Sequence, residues 1–167
     1  MNLTLRKMTV ADLPAVVELD QKSFSLPWPE RSFRFEITEN PASRCWVGEL
    51  DGKVVGMIVV WLIVDEAHVA TLATHPDFRR QGIAKNLLAY ALRDLAGEGA
   101  RSSFLEVRES NLAAQEMYHK FGYKEAGRRR RYYRDNDEDA ILMNLDSLNV
   151  EQLFFDRSIL DEEEQNE

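Results

Sequence analysis

Three short stretches of this sequence hold residue types suited to chemistry. In Arg79-Arg80-Gln81-Gly82-Ile83-Ala84, two bases and two small residues stand just before a long amphipathic segment. The free amides and partial positive charge of a helix N-terminus bind phosphate. Gly82 and Ala84 remove bulk, so a pyrophosphate can approach the backbone, and Arg79 and Arg80 add charge. The bland alternative is a basic turn that caps a helix. The spacing is neither a P-loop nor a dinucleotide fingerprint, because Gly-Lys-Ser/Thr and a third glycine are both missing. In Phe104-Leu105-Glu106-Val107, Glu106 is the one ionisable residue among apolar neighbours, where a carboxylate is costly unless paired or used. Partial withdrawal from water makes a carboxylate a stronger base. An ion pair with Arg108, two positions along on the same strand face, is the structural alternative. Tyr118 shares a helical face with Ala114, Met117 and Phe121, which by periodicity is a core position; Asn111 is placed to cap that helix.

The elements that must position these residues follow from periodicity and turn chemistry. A short strand begins at Leu3, and Thr9 with Asp12 resembles a capping box ahead of Leu13, Val16, Val17 and Asp20 at helical spacing. Two prolines force a loop over Ser25 to Pro29, and a second helix is expected over Glu30 to Thr38. Arg44 to Glu49 and Lys53 to Val64 read as strands joined at Asp51-Gly52, with another strand over Ala67 to Thr74. Ile83, Leu87, Leu88, Ala91, Leu92 and Leu95 mark one face of a helix ending near Gly97. A strand over Ser102 to Arg108, a helix over Leu112 to Phe121, and strands over Tyr123 to Arg134 and Glu138 to Leu145 complete the order. Asp135-Asn136-Asp137 makes the last turn.

Bulk properties bound the function. The 167 residues suit one domain with a full core. The longest apolar run, Met57 to Val64, is strand length, short of the ~18 residues of a membrane span. The N-terminus lacks the layout of a secretory signal, and the single Cys45, read as a buried packing residue, forms no internal disulfide. A cytoplasmic location is therefore expected. No metal site is expected, since His68, His75 and His119 lack ligand spacing. Residues 151–167 contribute −6 of the chain's −8, leaving the remainder near neutral at −2. That balance argues against direct nucleic-acid binding and permits a basic protein partner. The expected division is a domain over 1–148 and an acidic extension over 149–167 with a disordered end.

Arg79-x-x-Gly82-x-Ala84 resembles the coenzyme A pyrophosphate loop of the GNAT superfamily of N-acetyltransferases. Ala70-Thr71-Leu72-Ala73-Thr74-His75-Pro76 resembles the preceding strand of that family. Leu105-Glu106-Val107-Arg108-x-x-Asn111-x-x-Ala114-x-x-x-Tyr118-x-x-x-Gly122-Tyr123 resembles the strand and helix that follow. Within the superfamily the pattern is most similar to the RimI group, the ribosomal-protein-alanine N-acetyltransferases. Phe24-x-x-Pro27-Trp28, Asp65-Glu66-Ala67-His68 and Tyr132-Tyr133-x-x-x-x-Glu138-Asp139-Ala140-x-x-Met143 carry that likeness. Ala84 stands where glycine is commoner, and the acidic extension after Leu148 departs from the pattern.

The resemblance, which spans about Leu3 to Leu145, implies an α/β fold of the α+β type. Its GNAT sheet is mixed and mostly antiparallel, with about seven strands and about four helices. It implies acetyl-CoA as co-substrate, without a metal, held by Arg79, Arg80, Gln81, Gly82, Ile83, Ala84, Lys85 and Asn111. The strand before the loop is expected to bulge, and backbone amides near Leu72, Ala73 and Thr74 to stabilise the oxyanion. Glu106 is implied as general base and Tyr118 as general acid. Trp28, Glu66, His68 and Asp139 are implied on the acceptor side. Trp28 has an equal alternative as an apolar staple over the first helix. Arg128 to Arg131 is read as salt-bridged to Asp137, Glu138 and Asp139.

The acceptor implied is a protein N-terminal α-amine, with a ribosomal small-subunit protein as target, and the enzyme is expected to be a monomer. An α-amine of pKa about 8 is far easier to deprotonate than a lysine near 10.4, by about 3.4 kcal/mol. A lysine or small-amine acetyltransferase, and a coenzyme A-binding module without catalysis, are the alternatives. Loss of the base and acid would mark the module, and both Glu106 and Tyr118 are present.

Overall fold

The computed structural model describes residues 2–149, so the acidic extension from residue 150 onward lies outside the described residues. The elements follow the expected order: β1 (Leu3–Lys7), α1 (Leu13–Ser23), α2 (Glu30–Thr38), β2 (Ser43–Leu50), β3 (Lys53–Ile63), β4 (Glu66–Thr74), α3 (Ile83–Gly97), β5 (Ser102–Arg108), α4 (Leu112–Phe121), β6 (Lys124–Arg129) and β7 (Ala140–Leu145). Together the strands form a seven-stranded sheet in the order β1-β2-β3-β4-β5-β7-β6. The β4–β5 pair is parallel and the other pairs are antiparallel.

Alternation along the strands sends side chains to two cores, one on each face. On one face α1 and α2 pack Leu13, Val16, Leu19 and Phe33 against Val47, Met57 and Val59. On the other, α3 packs Ile83, Leu87, Leu88, Leu92 and Leu95 against β1 to β4, and Tyr118 of α4 joins this cluster. Each of those five α3 side chains is at most 1% exposed, and its burial contributes up to about 1.5–3 kcal/mol. Gly56 makes that packing possible: a Cβ there would meet Ile83 Cγ2 at 2.7 Å and Leu87 Cδ1 at 2.9 Å. Ahead of α1, the Thr9 amide donates to Asp12 Oδ2 at 2.8 Å, and Arg6 donates to both oxygens of that carboxylate at 2.8 Å.

One element is shorter than expected. The strand predicted over Tyr123 to Arg134 stops at Arg129, and β7 begins at Ala140. Between them the chain satisfies itself locally, which removes it from the ladder. The Arg131 amide donates to Asp139 Oδ1 at 3.0 Å, the Tyr133 amide to the Glu138 carbonyl at 3.1 Å, and the Asp137 amide to the Tyr133 carbonyl at 2.9 Å. Arg131 and Asp137 both adopt positive φ, 53° and 57°.

Candidate active site

The site grows from a fork in the sheet. Glu66 to Val69 of β4 pair with Ser102 to Leu105 of β5, and beyond Leu105 the two parallel strands have no common register. A β-bulge accompanies the parting: Val60 faces Val69 and Val59 faces Thr71, so Ala70 has no partner on β3. Just below the fork a buried relay clamps the strands together. Tyr123 Oη donates to Ser103 Oγ at 2.7 Å, and Ser103 Oγ donates to the Ala67 carbonyl at 2.7 Å.

A cavity of about 490 Å³ occupies the fork. Val69 to Leu72 form one wall and Leu105 to Arg108 the other, with Asn111, Ala114 and Tyr118 of α4 between them. The α1–α2 loop and the β6–β7 loop close the far side. Glu106 is the first residue of β5 beyond the last β4 pair. Its carboxylate accepts from Arg129 Nε at 3.1 Å, with 17% of the Glu106 side chain exposed and 53% of the Arg129 side chain. The alternative of an ion pair with Arg108 is therefore not the one formed. Arg108 turns instead to the β6–β7 loop, donating to both oxygens of Asp135 at 3.1 Å and to Glu138 at 3.3 Å. Its guanidinium lies 3.9 Å from the Tyr133 ring centroid. Asp135 also accepts from Ser25 Oγ of the α1–α2 loop, and Arg108 donates to that hydroxyl at 3.3 Å. The two loops are thus tied together across the cavity mouth.

Tyr118 is both a core residue and a cavity wall, 7% exposed and edge-on to Tyr123. Burial, with a smaller push from Tyr133, holds its hydroxyl well above the usual phenol range, so it carries its proton at neutral pH. Burial likewise pushes Tyr133 up to about 12, with Arg108 pulling the other way. Asn111 combines its two expected positions, accepting from the Ala114 amide at 3.2 Å as the α4 cap while lining the cavity. Trp28 combines both expected positions: it lines the cavity, its ring lies 5.2 Å from that of Phe33, and it packs against the cluster that holds Leu13, Val16 and Leu19 of α1.

Other expected residues stand outside that lining. His68 is wedged between Trp61 and Phe104, where burial lowers its pKa against the opposing pull of Glu106 and Glu66. Glu66 is exposed at the start of β4. Asp139 is engaged by the Arg131 amide and by Arg128, and the first of these does most to lower its pKa. Ala73 packs in the α1 core, and the buried Thr74 hydroxyl has no hydrogen-bond partner among the described residues. Of the run Arg128 to Arg131, Arg128 reaches Glu109, Glu125 and Asp139, Arg129 reaches Glu106, and Arg131 reaches Asp137. None of these four bases reaches Glu138 among the described ion pairs.

The phosphate loop stands at the head of α3. Gly82 is its N-cap at φ 80°, Arg80 precedes it at φ 64°, and Arg79, Arg80, Gln81 and Lys85 are exposed. A Cβ on Gly82 would meet Asn86 Nδ2 at 3.4 Å. Asn86 Nδ2 donates to the Gly82 carbonyl, bracing the turn that leaves the first α3 amides without intrahelical acceptors. Ile83 is buried beneath it and Ala84 is half-buried. This loop can hold a diphosphate, and the unpaired edges of the fork can take an extended amide-bearing arm as a strand would be added.

Asp20 and Ser23 are among the cavity residues that escaped the sequence reading. Asp20 of α1 is 1% exposed, lines the cavity, and accepts from the Trp28 amide at 2.7 Å. Ser23 Oγ, one turn on, is buried without a hydrogen-bond partner among the described residues. The signal was present, since Asp20 shares the helical spacing of Leu13 and Val16, and a charge on an apolar stripe needs an explanation.

Comparison with known proteins agrees with this geometry. Residues 13–123 match the model of the acetyltransferase (GNAT) family. A putative [ribosomal protein bS18]-alanine N-acetyltransferase of Bacillus subtilis is 38% identical over 139 residues, covering 83% of this chain and 92% of the relative. The [ribosomal protein bS18]-alanine N-acetyltransferase of Escherichia coli is 33% identical over 153 residues, covering 85% and 96%. A crystal structure of the Escherichia coli ribosomal-protein-alanine enzyme aligns with a TM-score of 0.80 at 33% identity, covering 92% of this chain and 99% of that one. An N-acetyltransferase of Thermoplasma acidophilum crystallised with coenzyme A shares the fold, with a TM-score of 0.72 at 19% identity over 87% of this chain and 99% of that one. The chain belongs to the GNAT acetyltransferase family and is an N-acetyltransferase.

Proposed function

We propose that this enzyme acetylates the N-terminal α-amine of a protein, and that its substrate is a ribosomal protein with an N-terminal alanine, the bS18 counterpart in its own cell. The setting inferred is the cytoplasm. Relatives at 33–38% identity over most of both chains carry that activity in their names. Among the described residues no helix is long and apolar enough to cross a membrane.

The co-substrate is acetyl-CoA, and the residues fit it. Arg79, Arg80 and the amides of the Gly82 turn would hold the diphosphate, Asn111 and the edge of β4 the arm beyond it. When bound, acetyl-CoA supplies an activated acetyl thioester at the fork. Glu106 Oε accepts the proton that an α-ammonium must lose to become nucleophilic, directly or through one water. Tyr118 Oη, kept protonated by burial, is the proton source for the sulfur that leaves. Arg129 holds the Glu106 carboxylate in place. The observation that carries the reading is the fork, which opens Glu106 and Tyr118 into one cavity.

The test is incubation of the enzyme with acetyl-CoA and a recombinant ribosomal protein bearing a free N-terminal alanine, with the acetyl group located by fragmentation mass spectrometry. Acetyl on the terminal amine is expected. Acetyl confined to lysine side chains would overturn the proposal.

A further inference from the structure

The charges around the cavity do not balance, and the imbalance rests on one residue. Its lining holds the carboxylates of Asp20, Glu106, Asp135 and Glu138 against the single guanidinium of Arg108. Arg108 is shared by Asp135 and Glu138, and Glu106 has Arg129 from beyond the wall. Asp20 has no cationic partner among the described residues; its described bond is the Trp28 amide on Oδ2. A carboxylate buried to 1% exposure without a counter-ion is costly, and burial does hold its pKa above the usual carboxylate range. The neighbouring Ser23 hydroxyl, also on the cavity wall, is a second buried polar group with no hydrogen-bond partner among the described residues. Structural need explains only the Trp28 bond, which a neutral asparagine could accept equally.

An acceptor amine arrives at neutral pH mainly as the ammonium and must be recognised in that form before it is deprotonated. Glu106 is already compensated by Arg129, so it offers an arriving cation less unbalanced charge than Asp20 does. We propose that Asp20, assisted by Ser23 Oγ, is the subsite that binds the acceptor's α-ammonium, and is thereby a specificity-determining residue of the enzyme. The proposal rests on the α-amine reading given above. The ammonium supplies the counter-charge that the fold withholds from Asp20, and its N–H groups supply the donors that the free oxygens lack. The Phe24–Trp28 loop, pinned by the same carboxylate, is set around the ligand that the carboxylate binds.

A charge-deletion cycle tests this directly. Dissociation constants are measured on the full chain saturated with coenzyme A, for a short alanine-initiated peptide and for its des-amino analogue, in which hydrogen replaces the ammonium. Wild type should bind the free-amine peptide at least about tenfold more tightly. Asp20→Asn should abolish that difference while leaving affinity for the analogue and for coenzyme A unchanged. Ser23→Ala should reduce the difference by about threefold. An Asp20→Asn variant that weakens both peptides equally, or neither, overturns the assignment and leaves Asp20 as a loop anchor. Wild type that binds both peptides alike overturns the subsite, whereas acetyl transfer confined to lysine side chains overturns the α-amine reading itself.

Discussion

At the scale of single residues, the fork divides labour among groups whose environments differ. Tyr118 is sealed in the core while lining the cavity, so burial keeps the proton on its hydroxyl until a strong base forms beside it. Replacing it by phenylalanine keeps the packing and removes the proton. Tyr118→Phe should lower kcat by about 10²-fold, with the KM for acetyl-CoA changed little, in a coenzyme A release assay. Asp20 makes a prediction of opposite sign, on stability. Its folded pKa is raised above the unfolded value, mainly by burial, with the Trp28 amide as a weaker opposing influence. The ionised form therefore opposes folding in full above the folded pKa, and the opposition fades as pH falls through that value. Asp20→Asn should raise the melting temperature at about pH 7, and its advantage over wild type should shrink toward acid pH, as followed by circular dichroism. Glu106 was legible because a lone carboxylate in an apolar strand stands out. Its true partner was not: Arg129 is 23 residues away in sequence, on β6, and reaches Glu106 across β7. Nothing local to either residue records that pairing.

At the scale of elements, the phosphate turn and the fork are set by backbone geometry more than by side chains. Gly82 caps α3 at φ 80°, a region where a Cβ costs about 1–2 kcal/mol, and the added atom would press on Asn86 Nδ2 at 3.4 Å. Gly82→Ala should weaken coenzyme A binding by about tenfold in calorimetry while leaving the free-peptide affinity of the apo enzyme unchanged. Three helices and one strand were legible because their cues are local: α2, α3, α4 and β5 begin and end at the residues that periodicity, caps and turns indicate. The β6–β7 connection was misread as a tight turn because Tyr132 and Tyr133 favour strands. Side chains of Asp139 and Glu138 capture amides of that segment and of Ser110, and Arg108 draws it toward the cavity. The Ala70 bulge had no signal in the residues themselves and came only from likeness to a family, because a bulge is a property of how two strands register.

At the scale of the whole molecule, two helical layers clamp the sheet, and the fork opens where β4 and β5 part. Coenzyme and acceptor can approach it from different sides, the first toward the α3 and α4 N-termini and the second between the α1–α2 and β6–β7 loops. The charge layout matches: exposed Arg79 and Arg80 at the diphosphate turn, and an excess of carboxylates around the cavity. The element order, the family pattern and the near-neutral body were all readable from the chain, whereas the loop-to-loop tie through Ser25, Arg108 and Asp135 exists only after folding. The central claim, an α-amine acetyltransferase with Glu106 as base, is met most directly by coenzyme A release on matched peptides. One has a free N-terminal alanine, the other a blocked N-terminus and an internal lysine, and each is tested with wild type and Glu106→Gln. Turnover on the free-amine peptide alone, reduced at least about 10²-fold in Glu106→Gln with acetyl-CoA binding intact, is the predicted result. Equal turnover on the blocked lysine peptide, or a Glu106→Gln enzyme as fast as wild type, would contradict it.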